Sequence, residues 1–326
     1  MKNLLAILSL AILPTINQAQ TADIVAEHVL PGFTALAASG AALADTAQAD
    51  CTHGSDDLRA AYHTAFDDWI AVSHLRFGPT EIDDRAFALA FWPDSRGATP
   101  RTLSTLIRDI DPINANAQDY AEVSIAGRGF YALEFLLYDD AITTQGDAAY
   151  RCQLIQTVTA DIGHLTAMIA QDWQDDYAAR LTTPADPYRS DVEALQELFK
   201  ALNTGAQFTS DMRLGRPLGT FDAPRPKRAE AWRSDRSARN VFIALTALRD
   251  LTTHLSNDPD LLAAFQDAID RTAALDDPRF AGVSDPQNRF RIETIKSRLD
   301  EIRGMLATEL GPELGVELGF NSLDGD

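Results

Sequence analysis

Twelve residues near the middle of the chain, Gly127-Arg128-Gly129-Phe130-Tyr131-Ala132-Leu133-Glu134-Phe135-Leu136-Leu137-Tyr138, constrain the fold most. The run is mostly apolar, yet it carries one carboxylate. On a 3.6-residue period, Phe130, Leu133 and Leu137 share one side of a helix. Gly127, Tyr131, Glu134 and Tyr138 share another, and Tyr120 extends that stripe if the helix reaches back so far. A carboxylate among aromatics on a buried helix is costly unless a donor meets it. The fold must therefore bring a partner to Glu134. An arginine from another helix is the simplest one.

The rest of the chain reads as helices between breakers. No alternating β-branched pattern marks a strand. Residues 22–50 have helical spacing, with Pro31 expected to kink or restart the helix. Ser55 is a candidate N-cap for a helix from Leu58 to Phe77, which Gly78-Pro79 ends. Shorter helices are expected at 83–91 and after Thr99-Pro100, with Thr99 as N-cap. A central helix should run from about Ala117 to Tyr138, and a long one from Asp147 to Tyr177. Residues 181–190 hold two prolines and small polar residues, and read as a linker or corner. Beyond it, helices are expected at about 190–211, 229–256, 258–275 and 286–310. The fold class is all-α, two helical-bundle halves packed together, at 22–180 and 191–326. The length of 326 residues allows two such units.

Residues 1–19 read as a secretory signal, with Lys2, an apolar run from Leu4 to Ile16, and small Ala19 at the cleavage point. Its loss deletes one lysine and no acid, taking the net charge from −20 to −21. No later segment has eighteen uninterrupted apolar residues, so a soluble periplasmic protein is expected, without membrane insertion after signal removal. So acidic a chain repels nucleic acid, which excludes that class of partner. Cys51 and Cys152 are the only cysteines. An even pair in an exported protein favours a disulfide.

Two features could carry chemistry. The first is the Tyr131–Glu134 stripe. The second is a basic run: Arg213, Arg216, Arg225, Lys227, Arg228, Arg233, Arg236 and Arg239, opposed by only Asp222, Glu230 and Asp235. Trp232, Arg236, Arg239 and Ile243 would share one stripe of the 229–256 helix. The run is either a solvated face or the source of the Glu134 partner, with Arg236 or Arg239 expected to fill that role and Arg128 as a local alternative. The six histidines form no close metal pair, and no nucleophile elbow, P-loop or dinucleotide fingerprint is present.

The central run resembles the Gly-x-His-x-x-Glu motif of the imelysin-like proteins, bacterial envelope proteins once described as insulin-cleaving peptidases. Gly129 and Glu134 match, and Tyr131 stands at the histidine position. Four more segments resemble that family: Arg76-Phe77-Gly78-Pro79, Phe91-Trp92-Pro93-Asp94, Trp232-Arg233-Ser234-Asp235-Arg236-Ser237, and the last eight residues, Gly319 to Asp326. The resemblance implies two bundle-like halves with the site at their junction. It carries Tyr131 and Glu134 over as site residues, and Trp232, Ser234 and Ser237 from the second half. It also implies a link with iron uptake, so the ligand could be iron, a chelate or a partner protein of that system. The alternative it implies is a metallopeptidase. Zinc hydrolysis needs about three protein ligands and an open position. One Glu beside a Tyr falls short of that count, so no catalytic residue is assigned. Tyr131 and Glu134 instead offer oxygen ligands to a hard ion such as ferric iron. Asp324-Gly325-Asp326 adds a weak hint of calcium.

Overall fold

The computed structural model describes residues 16–316. The expected signal therefore falls largely outside the described residues, and Asp324-Gly325-Asp326 wholly so. Among the described residues every extended element is helical, and the only β pairing is an isolated bridge between Thr220 and Ala223.

The chain opens with one continuous helical rod: α1 (Ile16–Ile24), a π turn (Val25–Val29) and α2 (Leu30–Ala49). Pro31 neither breaks nor restarts it, and a widened turn just before the proline absorbs the missing N–H. Leu30 N–H reaches back to Val25 O there. The same device recurs. A π turn at Thr209–Gly215 precedes Pro217, and another at Leu306–Leu310 precedes Pro312. In each case the ring would meet the carbonyl four residues back, and a wider turn moves that carbonyl aside.

α2 packs against α3 (Asp56–Val72) and α6 (Ala148–Asp172), with α4 (Ala98–Asp109) and α5 (Gly129–Tyr138) completing the first group. Gly40 and Gly163 let α2 and α6 approach closely; a Cβ on Gly163 would lie 3.2 Å from Gly40 O. Cys51 and Cys152 form a disulfide with Cα atoms 5.0 Å apart, closing a loop of 101 residues between the end of α2 and the start of α6. The second group is α7 (Asp191–Phe208), α8 (Ser237–Leu255), α9 (Pro259–Ala273) and α10 (Pro286–Met305). α1 packs on this second group, where Gln20 donates to His254 O at 2.9 Å. The opening rod thus touches both. The segment Gln20–Ala49 is long and apolar enough to cross a membrane by composition, but Phe33, Leu36, Leu43 and Ala47 are buried in the protein core.

Local chemistry explains where the boundaries fall. Ser55 caps α3 as expected, accepting from Leu58 N–H. α3 stops at Val72 rather than Phe77. The Ser73 hydroxyl bonds back to Ile70 O, and the chain turns towards Gly78, whose φ is +61°. Thr99 is not the cap of α4; the Asp94 carboxylate accepts from the Ala98 and Thr99 N–H groups. The segment 181–190 is less of a linker than its composition suggests. Helix continues to Thr182, and buried Tyr188 bonds the Tyr177 hydroxyl at 2.8 Å.

Two departures position the site. The expected helix from Ala117 to Tyr138 is broken into Ala117–Tyr120, a 3-10 turn at Ile125–Gly127, and α5. Gly129 opens α5 at φ +71°, and a Cβ there would collide with the carbonyl oxygens of Ala88 and Leu89. The expected helix 229–256 begins only at Ser237. Residues 229–236 form a turn in which Ala231 and Asp235 adopt φ of +46° and +59°. Trp232 and Arg236 therefore do not continue a helix stripe with Arg239 and Ile243.

Candidate functional site

Glu134 is buried in the middle of α5, facing the 229–236 turn. Its Oε1 accepts from the Ser234 N–H at 3.0 Å and from the Ser234 hydroxyl at 2.9 Å. The break before Ser237 makes this possible, because a helical Ser234 N–H would be engaged by its own helix. The expected donors, Arg236, Arg239 and Arg128, lie elsewhere. Arg236 donates to His63 and pairs with Asp67, Arg239 shares Asp67, and Arg128 forms a two-pronged bond to Asp161 at 2.7 and 2.9 Å. Burial raises the Glu134 pKa, opposed by the Arg233 charge and the Ser234 bonds. Arg233 itself pairs with Asp139 at 2.7 Å and lies over the Phe135 and Trp232 rings.

Tyr131 points across the same boundary. Its hydroxyl donates to Glu230 Oε1 at 2.5 Å. The second Glu230 oxygen accepts from Arg213 Nε at 2.8 Å. Arg213, on the π turn after α7, also reaches Thr209 at 3.1 Å and the Ser73 hydroxyl at 3.2 Å. Ser237 donates to Glu230 O at 2.8 Å and so steadies the turn rather than facing a ligand. The Trp92 ring stacks on Tyr131 with centroids 6.2 Å apart. Burial, then the Glu230 carboxylate, pushes the Tyr131 hydroxyl well above the usual phenol range.

Tyr62 completes the cluster. It is fully buried on α3, and its hydroxyl makes no close hydrogen bond, with Ser234 the polar neighbour that lowers its pKa against the burial. Burial and then the Glu134 charge push its pKa well up, and its charge also bears on Tyr131. Two carboxylates and two phenols, Glu134, Glu230, Tyr62 and Tyr131, thus come from three separate stretches of chain. His63 flanks them with its Nδ1 accepting from Arg236 at 2.9 Å, which leaves Nε2–H to donate to the Tyr138 hydroxyl at 3.0 Å. Burial and the Arg236 charge push His63 down to about 4, so the ring is neutral near pH 7.

The structure brings Tyr131, Glu134, Ser234 and Ser237 together, with Trp232 and Arg236 at the edge. Arg128 and Arg239 serve other pairs. Sequence reasoning missed Tyr62, Glu230 and Arg213 as members of the site. Glu230 left one signal, an acid inside an otherwise basic run. Tyr62 left none, because its position reads as an ordinary apolar one in α3.

The donor set tests what could bind. A buried phenol without a close hydrogen bond, beside the Glu134 carboxyl that burial holds back from ionising, suits a cation that takes oxygen ligands. The set lacks the imidazole or thiolate ligands typical of zinc sites.

The imelysin family model (peptidase M75) matches residues 29–305. No curated protein matches the chain. Solved structures share the fold, among them the following two. An imelysin-like protein from Psychrobacter arcticum 273-4 superposes with a TM-score of 0.78 at 20% identity, covering 93% of this chain and 97% of that one. A protein from Parabacteroides distasonis ATCC 8503, named as an iron-regulated protein A precursor, gives 0.73 at 16% identity, covering 91% and 96%. With the family model spanning most of its length and the same all-helical fold in both neighbours, this chain belongs to the imelysin family.

Proposed function

We propose that this chain is an exported, periplasmic binding or accessory protein of an iron-related system, and that it is not a hydrolase. The observation that carries the reading is the oxygen-only cluster of Tyr62, Tyr131, Glu134 and Glu230, with the Tyr62 hydroxyl buried and without a close hydrogen bond. Ferric iron is a hard cation and favours phenolate and carboxylate oxygen. Water activation for peptide hydrolysis needs a firmly held metal with an open position and a base. Here the residue that would supply an imidazole is Tyr131. The name of the Parabacteroides neighbour is consistent with an iron-related role. The two bundle halves meeting at Glu134 and Ser234 suit a site that closes around a small ligand.

Proton displacement sets the pH dependence. Glu134, Tyr62 and Tyr131 all hold their protons more tightly than exposed groups do. A bound cation must displace those protons, so affinity rises with pH. The test is ferric iron supplied from nitrilotriacetate to the purified chain. The expected result is a visible ferric–phenolate absorption band that is lost in Tyr131→Phe and weakened in Glu134→Gln. Chelator-sensitive cleavage of unfolded insulin chains, abolished by Glu134→Gln, would overturn the reading in favour of the peptidase.

A further inference from the structure

The basic run of eight divides into two kinds. Arg213, Arg233, Arg236 and Arg239 are each ion-paired. Arg216, Arg225, Lys227 and Arg228 have no carboxylate partner among the described residues, although the chain carries a net charge of −20. Unpaired cations in so acidic a protein are not explained by a shortage of acids.

The backbone gathers these four by folding back. Arg216 begins the short helix Arg216–Leu218. Gly219 then turns at φ +56°, Thr220 pairs with Ala223, and Arg225 N–H returns to Pro217 O at 2.8 Å. The 3-10 turn Pro226–Arg228 follows and packs against the Arg216–Leu218 helix. Arg289 holds the fold-back in place from α10, donating to Leu218 O at 2.7 Å. Arg216 is partly buried, and its Nε is enclosed without a partner. Burial and the neighbouring Arg228 charge push its pKa below the usual arginine range. Two guanidiniums near each other with no counter-charge repel, a cost that an anion between them would remove. The Arg216 guanidinium also lies 5.8 Å from the centroid of Trp92, the ring that stacks on Tyr131. Lys227 lies 5.8 Å from the Trp232 ring. The cations are thus flanked by flat aromatic surfaces, one ring away from the oxygen cluster.

We infer that Arg216, Arg225, Lys227 and Arg228 form a binding site for a small multivalent oxyanion, a polycarboxylate or a polyphosphate, seated beside Trp92. Guanidinium forks match the paired oxygens of both groups. Four cations call for a ligand of more than one negative charge. The site stands on the unpaired cations alone, and its link to iron rests on the function proposed above. There the anion is the chelating shell that carries the metal to Tyr131.

The experiment uses the full chain and two metal-free probes, citrate and pyrophosphate, titrated calorimetrically at low salt. Tryptophan fluorescence is followed in parallel. At least one probe is expected to bind saturably, one per chain, and which one binds tells carboxylate from phosphate. Arg216→Gln and Arg228→Gln should each weaken binding at least tenfold, and Trp92→Phe should reduce the fluorescence response, leaving the part that comes from Trp232. Arg108→Gln, which alters a surface cation paired with Asp109, should leave binding unchanged. Arg228 is exposed and makes no side-chain hydrogen bond among the described residues, so its variant keeps the test valid if Arg216→Gln fails to fold. No binding of either probe, equal binding by Arg228→Gln, or equal weakening by Arg108→Gln overturns the inference. Probe binding by the wild-type chain, if that same chain gives no ferric band, keeps the anion site and rejects the iron reading.

Discussion

Two buried polar groupings lie within a few residues of each other around α5, and they are built differently. Arg128, just before the helix, meets Asp161 in a two-pronged pair and donates a third bond to Ala121 O at 3.0 Å. Both side chains are buried, and both Asp161 oxygens are used. Six residues on, both Ser234 bonds fall on one Glu134 oxygen, and the Tyr62 hydroxyl and the Arg236 Nε are buried without a close partner. Native interiors leave few polar atoms unsatisfied, and those they leave tend to mark strain, missing solvent or function. The first grouping is closed and holds α5 onto α6. The second is open in the chemical sense, with valences left for something the chain does not supply.

The largest expected effect breaks the closed grouping. Asp161→Asn leaves the Arg128 guanidinium buried without its counter-charge. Removing one partner of a buried pair costs about 3–5 kcal/mol. Urea unfolding should show that loss as a lower midpoint at constant slope. Glu134→Gln keeps an oxygen for Ser234 and removes a charge that burial already disfavours. Its stability should stay within about 1 kcal/mol of wild type, the size of one hydrogen bond. Equal losses in the two variants would erase the distinction between the groupings.

A smaller effect sharpens it. Tyr62→Phe deletes a buried hydroxyl that makes no close hydrogen bond, Ser234 being its polar neighbour. Desolvating such a group costs about 1–3 kcal/mol, so its removal should raise stability, by about 1 kcal/mol after allowance for water entering the site. The same variant should weaken ferric binding. Raised stability together with weaker binding is the signature of a group kept for function. A loss of stability would place the hydroxyl in a structural bond instead.

Much of this architecture is legible in the sequence. The all-helical class follows from punctuation and the missing strand pattern, the α3 cap from Ser55, and the disulfide from an even cysteine pair. The demand that Glu134 be met is also legible, but not what meets it. The partner is a backbone N–H and hydroxyl at Ser234, exposed because Ala231 and Asp235 take left-handed conformations that non-glycine residues rarely adopt. Nothing in the composition of 229–236 announces that. Helical periodicity likewise runs through residues 117–138, while the break depends on Gly129 fitting against the carbonyls of Ala88 and Leu89. Such a contact between distant segments has no local signature. Tyr62 shows the same limit from the other side, since a phenol at an apolar position reads as core until its hydroxyl is seen to lack a partner.

The smallest effect concerns pH, and it separates the groupings by sign. His63 stands beside the open one, faced by Arg236, Asp67, Arg239, Asp235 and Tyr138. Its pKa falls to about 4 in the folded chain, from 6.5. The unfolded chain therefore binds more protons at this residue through that interval. Stability from His63 is complete above pH 6.5 and is lost as pH falls towards 4. His74, buried and held well below its usual value by burial, His28 and Arg213, adds in the same direction. Glu134 opposes them. Its raised pKa makes the folded chain bind more protons above 4.5, so its contribution grows as pH falls. Asp68, raised by burial, sides with Glu134; the falls at His63 and His74 are large, so the thermal midpoint of the wild type should drop between pH 6.5 and 5. The drop should be shallower in His63→Gln, and steeper in Glu134→Gln, where the opposing group is gone. Arg128→Met strands the buried Asp161 carboxylate and should lower the midpoint throughout this range. An unchanged slope in His63→Gln would mean that His63 keeps its ordinary pKa in the folded chain, and the downward shift from burial and Arg236 would have to be abandoned.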